Sequence, residues 1–236
     1  MIRANVRTQK TRIDKIGNKL STLNSSGKGS NTVRYYDGAD PDDIWAVKSA
    51  GIDPSNGKEL FYAKDGSYTY DFSYDDEVIC GNTRPDVEGV IGSSLNWKGF
   101  SVSLNFRYQM GADVFNEALY NKVENISKND LNKNQDRRAL YERWQEVGDI
   151  VHFKDIASAE TTPMSSRFVQ EENVLTLESV YLGYEFYDGW IKKLGLSSLK
   201  FQVSMRDVFR ASTIRSERGI AYPFARSMEA GLSFNF

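Results

Sequence analysis

The sequence predicts an all-β fold, specifically an antiparallel transmembrane β-barrel segment of about six strands with long extracellular loops and a short loop helix. Three observations lead to this prediction. Two segments alternate apolar and polar residues without exception, long polar stretches alternate with short turns, and aromatic residues make up 13% of the chain. Barrel strands need apolar residues only at every second position, which agrees with a mean hydropathy of −0.52.

The clearest alternation runs from Phe100 to Met110. Period two places successive side chains on opposite faces of a strand, so one face is apolar and the other polar. We expect the apolar face to meet lipid, and its residues here are Phe100, Val102, Leu104, Phe106, Tyr108 and Met110. The last residues repeat the pattern with Met228, Ala230, Leu232, Phe234 and Phe236.

Four weaker copies of the pattern complete the set of predicted strands. They cover Ile2 to Thr11, Val87 to Trp97, Val174 to Phe186 and Leu199 to Asp207. Within the third, Leu175 and Leu177 lie on the opposite parity from Val180 and the residues that follow. A β-bulge, or an upper stretch that packs inward, would explain the switch. Each strand is near the ~9–11 residues that cross a bilayer at a tilt.

The connections between these strands alternate in length. A long segment precedes Val87, the two residues Lys98 and Gly99 form a tight turn, and a second long segment precedes Val174. Long external loops and short periplasmic turns are typical of outer-membrane barrels. Counting strands in this scheme places both termini on the periplasmic side.

The long segments carry patterns of their own. Residues Asn134 to Val147 are predicted to form a helix, because Leu140, Trp144 and Val147 are spaced four and three apart and Gly148 follows. The first long segment predicts a small hairpin. Its arms are Ile44 to Val47 and Glu59 to Tyr62, with a turn at Asp53 to Gly57.

Composition excludes several other classes of protein. With 30 basic and 32 acidic side chains the net charge is −2, so we expect no nucleic-acid partner. Cys80 is the only cysteine, which excludes an intrachain disulfide. No stretch approaches the ~18 apolar residues of a membrane helix. Residues Met1 to Arg7 hold a basic pair without an apolar core, so we expect no secretory signal there and no export of this chain alone.

The residues do not predict an enzyme. His152 is the only histidine, and no serine or cysteine lies in a Gly-x-Ser-x-Gly setting. The segment Gly27 to Ser30 lacks the spacing of a phosphate-binding loop. No pair of acids is marked out for the opposite roles of a glycosidase. We therefore expect no catalytic residues.

Two acidic clusters raise the question of calcium, which takes oxygen ligands from irregular loops. They comprise Asp37, Asp40, Asp42 and Asp43, and Asp71, Asp75, Asp76 and Glu77. Neither cluster has the spacing of an EF-hand loop. We expect solvated loop charge, with no metal and no cofactor.

A further set of loop residues is proposed to contact a ligand or a lid protein. It comprises the aromatics Trp45, Tyr62 and Trp144 and the arginines Arg210 and Arg215. Aromatic rings can stack on sugars, and arginines can hold anionic groups. The alternative for the aromatics is packing within their own loops, and for the arginines a role in solubility.

Four runs of sequence resemble the SusC/RagA family of TonB-dependent outer-membrane transporters. They are Gly81 to Gly89 (GNTRPDVEG), Tyr108 to Asn116 (YQMGADVFN), Glu172 to Tyr184 (ENVLTLESVYLGY), and the ending from Asp207-Val208-Phe209-Arg210-Ala211 through Tyr222-Pro223-Phe224-Ala225-Arg226. The resemblance covers most of the chain from Ile44 onward. The terminal residues Leu232, Phe234 and Phe236 also resemble the signal that the barrel-assembly machinery recognises. The alternative is a strand that happens to end in an aromatic residue.

The resemblance implies a 22-stranded barrel with an N-terminal plug, energised through the TonB complex and capped by a SusD-like lipoprotein. It implies the outer membrane of a Gram-negative bacterium of Bacteroidota type, with a glycan or peptide substrate. Residues 1–236 have room for roughly the last quarter of the strands. We therefore expect a C-terminal barrel segment without the plug and earlier strands, which is part of an importer and not competent alone. The alternative is a secreted all-β carbohydrate-binding module.

Overall fold

The structure is a computed structural model that describes residues 1–130, 132–158, 160–214 and 226–236. The strands in these residues are β1 (Ile2–Ala4), β2 (Asp43–Val47), β3 (Ser49–Ile52), β4 (Glu59–Tyr62), β5 (Tyr68–Thr69), β6 (Glu77–Asn82), β7 (Val87–Trp97), β8 (Phe100–Phe115), β9 (Val169–Phe186), β10 (Ser198–Ser212) and β11 (Ser227–Asn235). The α-helices are α1 (Ser21–Gly27), α2 (Glu117–Leu119) and α3 (Trp190–Lys193), and a π-helix (Tyr120–Glu124) continues α2. Single 3-10 turns cover Tyr74–Asp76, Lys128–Asp130, Arg137–Leu140 and Ser166–Phe168.

The chain divides into two compact units. The first, here called the sheet unit, consists of Met1–Gln9, Pro85–Gly111 and Glu172–Phe236. The second, here called the loop unit, consists of Lys10–Arg84 and Ala112–Glu171. Within the described ranges, no helix has the length and apolar character needed to cross a membrane.

The sheet unit is built on a six-stranded antiparallel sheet in the order β1-β7-β8-β9-β10-β11. The predicted number of strands and their antiparallel arrangement are confirmed. Strand β7 has the predicted bounds, whereas β8, β9 and β10 are longer than predicted and β1 is shorter. Beyond β1, the N–H groups of Asn5 and Arg7 still donate to the carbonyls of Val90 and Glu88, at 3.0 and 2.8 Å.

Short connections lie at one end of this sheet. The turn between β7 and β8 places Lys98 at φ 45° and Gly99 at φ 87°, the left-handed pair that two-residue hairpins favour. Residues 187–197, which include α3, join β9 to β10. Both chain termini lie at the same end, because Ile2 pairs with Ser93 and Asn235 pairs with Ser198.

Apolar residues on neighbouring strands of the sheet stand opposite one another. Leu95 pairs with Val102 and Trp97 with Phe100. In β10, Phe201 is flanked by Tyr184 on one side and Leu232 on the other. The other face is polar, where Asn105 Nδ2 donates to Ser179 Oγ at 2.9 Å and Tyr181 Oη donates to Gln202 Oε1 at 3.1 Å. The period-two pattern therefore produces one continuous apolar face.

The parity switch predicted from Leu175 and Leu177 coincides with a β-bulge. Arg206 pairs with Ser179, but the next paired residues are Phe209 and Leu177, so β10 carries one extra residue. Asp207 adopts φ 51° at this point. The bulge lies in the neighbouring strand β10 and leaves the alternation within β9 unbroken, so it does not by itself explain the switch between Leu177 and Val180.

The predicted hairpin of the loop unit is partly wrong. Its turn and its second arm, Glu59–Tyr62, are confirmed, and the Asp53 carbonyl accepts the N–H of Gly57 at 2.8 Å. Its first arm is Ser49–Ile52, whereas Asp43–Val47 pairs with β6. Ile44, Ala46 and Val47 are all buried. A run that is buried on both faces needs a partner in the core, which favours pairing with the more distant β6 over the nearer β4.

The predicted helix from Asn134 to Val147 is wrong. Only the single turn Arg137–Leu140 is helical, and Glu142 at φ 60° departs from helical geometry. Arg143 is buried, with Nε donating to the Ala139 carbonyl at 2.7 Å and Nη1 donating to the Lys154 carbonyl at 2.9 Å. These tertiary hydrogen bonds fix an irregular backbone, while Val147, which was predicted to lie on the apolar face, is exposed. Helices of the loop unit are instead found at α1 and α2.

The loop unit has its own hydrophobic core. The buried cluster consists of Leu119, Val123, Ala139, Phe153 and Phe168, with Phe115, Tyr120 and Ile126 packed against it. Rings stack within this core, since Tyr120 and Phe168 have centroids 5.1 Å apart. The long connections are therefore folded structures and not linkers.

Candidate functional site

The predicted lipid-facing residues lie on the apolar face of the sheet unit. Phe100, Met228 and Ala230 are exposed, while Val102, Leu104 and Phe106 in β8 are half-buried. Contact with lipid remains a prediction for all six. The predicted assembly signal lies on the same face, since Leu232 pairs with Phe201 and Phe234 with Leu199. Phe236 is 92% exposed, and its role in assembly also remains a prediction.

The three loop aromatics proposed as ligand contacts lie in separate places within the loop unit. Trp45 packs on Tyr36 with ring centroids 5.1 Å apart. Tyr62 contacts Tyr68 through their hydroxyls at 3.3 Å. The indole N–H of Trp144 donates to the carbonyl of Pro54 at 3.1 Å. Trp45 and Tyr62 thus contact residues of their own long segment, whereas Trp144 contacts the first long segment. Ligand contact by any of the three remains a prediction.

The two arginines of the same proposal lie towards the C-terminus. Arg210 pairs with Glu172 at 2.9 Å, and the Ser212 hydroxyl donates to the same carboxylate oxygen at 2.8 Å. Arg215 lies outside the described residues. The Arg210 guanidinium is therefore already paired with an acid of the neighbouring strand.

The acidic residues of the first cluster are engaged within the loop unit. Arg84 donates to both carboxylate oxygens of Asp40 at 3.0 Å and also contacts Asp42. Asp37 accepts the backbone N–H of Ile16 at 2.8 Å and Asp43 accepts an amide N–H of Asn82 at 2.9 Å.

Three residues of the second acidic cluster are likewise engaged. Asp75 pairs with Lys28, and Glu77 pairs with the buried Arg34. Asp76 accepts the backbone N–H of Lys64 at 2.8 Å. In the part of the chain that the structure describes, no group of three His, Cys, Asp or Glu residues is arranged to hold a metal ion.

A buried ionic network forms the polar centre of the loop unit. Arg167, in the turn before β9, reaches Glu59 Oε2 at 2.8 Å and Glu124 Oε1 at 2.7 Å through Nη2. The Glu124 side chain is fully buried and that of Arg167 is 9% exposed. Burial lowers the pKa of Arg167, but its hydrogen bonds to Glu59 and Glu124 outweigh that effect and raise the pKa above the ordinary value.

Hydroxyl groups complete the coordination of the two buried acids. Thr162 Oγ1 donates to Glu124 Oε1 at 2.8 Å, and Ser165 Oγ donates to Glu59 Oε1 at 2.5 Å. A buried charge pair is tolerated when its remaining lone pairs are satisfied in this way. The network joins β4, the π-helix and the turn before β9.

Two cavities lie beside this network. The larger, here called cavity A, has a volume of about 570 Å³, and the smaller, cavity B, about 300 Å³. Glu124, Lys154, Ser158, Glu160 and Thr161 line both. Trp45, Tyr62 and Trp144 line neither of them. Cavity A has a size typical of small-molecule sites.

Sequence reasoning did not single out the residues of this network or of the cavities. Arg167 is separated from Glu124 by 43 positions and from Glu59 by 108. No local periodicity links charged residues at such separations. The sequence offered one indication of a buried ionic network. The long segments contain many charged residues as well as the apolar residues of a core.

Comparisons with known proteins give related sequences and structures. No family model matches the chain. Two curated TonB-dependent receptors of Formosa agariphila are each 25% identical to it, over 171 and 169 residues, which is 71% and 72% of this chain and 16% of each relative. The chain thus spans about one sixth of the length of the curated relatives it matches.

Solved structures show the same fold. The RagAB peptide importer in its open-open state superposes with a TM-score of 0.74 at 19% identity, over 100% of this chain and 26% of that one. A second structure, of the RagAB peptide transporter, gives 0.63 at 20% identity, over 78% and 20%. The six-stranded sheet is therefore of the type found in that barrel, as the sequence predicted.

Proposed function

Because the chain is related to TonB-dependent receptors of the SusC/RagA type, we propose that it forms part of the barrel wall and the external loops of an outer-membrane nutrient importer. The sheet unit supplies membrane-spanning strands and the loop unit supplies structured external loops. Residues 1–236 act as a C-terminal barrel segment of the whole transporter, in the outer membrane of a Gram-negative bacterium.

The observation that supports this proposal most strongly is the continuous apolar face of the sheet unit. Leu95 is 61% exposed, Phe100 52% and Phe234 52%. A soluble monomer rarely leaves such a face in water, because each exposed apolar residue forgoes the gain from burial. Lipid provides an apolar environment for the same face without a second protein layer.

The role we propose is binding and gating, without catalysis. The loop unit binds substrate and contacts a SusD-like lipoprotein, and the TonB complex acts through a plug supplied by the remainder of the transporter. The substrate is an oligosaccharide or a peptide. The similarity of this chain to the RagAB peptide importer makes a peptide the first substrate to test.

The alternative, a secreted carbohydrate-binding module, has less support. A sandwich needs the apolar faces of its strands in a dry core between two sheets. The exposed apolar residues of β7, β8 and β11 do not meet that requirement.

Fractionation of cells that express the chain behind a secretion signal tests the proposal. We expect the chain in the outer membrane and resistant to alkaline carbonate. Phe236→Ser should reduce the assembled fraction, whereas Ser233→Ala, on the opposite face of the same strand, should leave it unchanged. A chain recovered as a soluble, folded monomer would contradict the proposal and favour the binding module.

A further inference from the structure

We propose that cavity A of the loop unit binds the carboxylate group of a ligand, supplied by the C-terminus of a peptide or by a uronic acid of a glycan. Lys154 and Arg143 hold the carboxylate. The inference deepens the proposed import function, on which it rests, by naming the chemical group that one site of the loops selects.

Three cations, Lys128, Arg143 and Lys154, and two acids, Glu124 and Glu160, line cavity A. Lys154 Nζ contacts only neutral oxygens, namely Asn125 Oδ1 at 3.3 Å and the Glu160 carbonyl. Arg143 donates only to backbone carbonyls, those of Ala139, Lys154 and Val123. Within the described ranges neither cation forms an ion pair with a carboxylate at contact distance.

Of the two acids that line the cavity, Glu124 is already paired with Arg167. Glu124 lines the cavity, but its Oε1 accepts hydrogen bonds from Arg167 and Thr162. Arg167 does not line the cavity, so the cation that pairs with Glu124 lies outside the cavity wall. A ligand carboxylate would therefore supply a negative charge at contact distance that the protein itself does not provide.

Burial makes the two cations receptive to an anion. It lowers the pKa of Lys154, and Glu124 and Glu160 offset only part of this effect, while Arg143 and Arg167 lower it further. Burial also lowers the pKa of Arg143, again with partial compensation from Glu124. A carboxylate beside them would favour both charged forms.

Unused hydrogen-bond donors are present for such a ligand. A guanidinium has five N–H donors and an ammonium three. Arg143 uses one N–H at each of its three nitrogens and Lys154 uses two donors, so both retain further N–H groups. The amide of Asn121 also lines the cavity.

The remaining wall suits the body of a small ligand. Tyr120, Ile126 and Ile156 contribute apolar surface beside the polar groups. A volume of about 570 Å³ holds a ligand of a few peptide residues or sugar rings. The combination of an apolar wall with a few convergent polar groups is typical of sites that recognise one end of a flexible ligand.

Calorimetry on the assembled, detergent-solubilised protein tests the inference with four probes. These are tetra-alanine with a free carboxylate, the same peptide as its amide, trigalacturonate and neutral trigalactose. We expect at least one acid to bind roughly tenfold or more tightly than its neutral analogue, because charge-assisted hydrogen bonds are the strong ones. Preference for the peptide acid, the sugar acid or both identifies the source of the carboxylate.

Variants locate the effect. Lys154→Met should lower the affinity for the preferred acid roughly tenfold or more, and Lys154→Arg should retain most of it. Lys133→Met is the matched control, because Lys133 pairs with Asp130 and does not line the cavity. Limited proteolysis of each variant verifies that the loop unit is folded.

Two outcomes would overturn the inference. One is equal affinity of the native protein for each acid and its neutral analogue, and the other is an unchanged acid preference in folded Lys154→Met. Carbonate extraction of the same preparation tests the import function separately. A protein that inserts but shows no acid preference refutes the carboxylate site alone, whereas one with the preference that fails to insert refutes the transport role.

Discussion

The ion pair between Arg34 and Glu77 is expected to decide whether the loop unit stays folded. Two hydrogen bonds join the side chains, from Nε to Oε2 at 2.9 Å and from Nη2 to Oε1 at 2.6 Å. The side chains are 1% and 9% exposed. Arg34 also donates to the carbonyl of Val33 at 2.7 Å. Replacing Glu77 with Gln therefore leaves a buried guanidinium without its counter-charge.

The expected cost follows from this geometry. Removing one partner of a buried pair destabilises by about 3–5 kcal/mol, since the remaining charge stays desolvated. Each ~1.4 kcal/mol is a factor of ten, so the open population of the loop unit should rise by roughly two to three and a half orders of magnitude. Replacing both residues, as Arg34→Met with Glu77→Leu, should recover most of the loss.

Limited trypsin digestion of the assembled protein measures this opening. Cleavage tracks the open population when opening and closing are fast. Asp75→Asn is the matched control. Asp75 is two residues from Glu77 and pairs with Lys28 at 2.9 Å, but its side chain is 89% exposed. We expect little change there, since exposed pairs contribute little. If Glu77→Gln kept native resistance to trypsin, the ion pair would not be what holds the loop unit closed.

Two further predictions concern glycines. A side chain at Gly89 would collide with the backbone carbonyl of Asn5, so Gly89→Ala should disrupt the pairing of the first strand and lower the temperature at which the barrel unfolds on a heated gel. Gly92→Ala should have a smaller effect, because its Cβ would meet only a flexible side chain. Equal shifts in the two variants would contradict this prediction. Gly57→Ala should destabilise the loop unit more than Gly51→Ala in urea titrations followed by fluorescence, because both have positive φ but only at Gly57 would a Cβ lie 2.5 Å from an indole ring. Similar midpoints for these two variants would remove the steric argument.

The sheet unit was largely predictable because its information is local. Alternation from Phe100 to Met110 specifies which side chains share a face, and the pair Lys98-Gly99 specifies the turn. The parity of Leu177 suggested a bulge within β9, whereas the observed bulge lies in the neighbouring strand β10. That position depends on Asp207, whose φ of 51° no residue pattern announced.

The loop unit was less predictable because its structure depends on contacts that are distant in sequence. The spacing of Leu140 and Val147 suggested a helix, but the side chain of Arg143 satisfies carbonyls from three segments and holds the chain in an irregular path. The partners Glu59 and Arg167 illustrate the same point, since a buried ion pair is specified only once the core around it has formed.

Contact of one face of the sheet with lipid can be measured with single cysteines along β8 in a Cys80→Ser background. Spin labels at positions 102, 103, 104 and 105 of the membrane-inserted protein report access to lipid-soluble oxygen and to a water-soluble nickel chelate. We expect strict alternation, with high oxygen access at Val102 and Leu104 and high nickel access at Ser103 and Asn105. Nickel access that is equal at all four positions would contradict it.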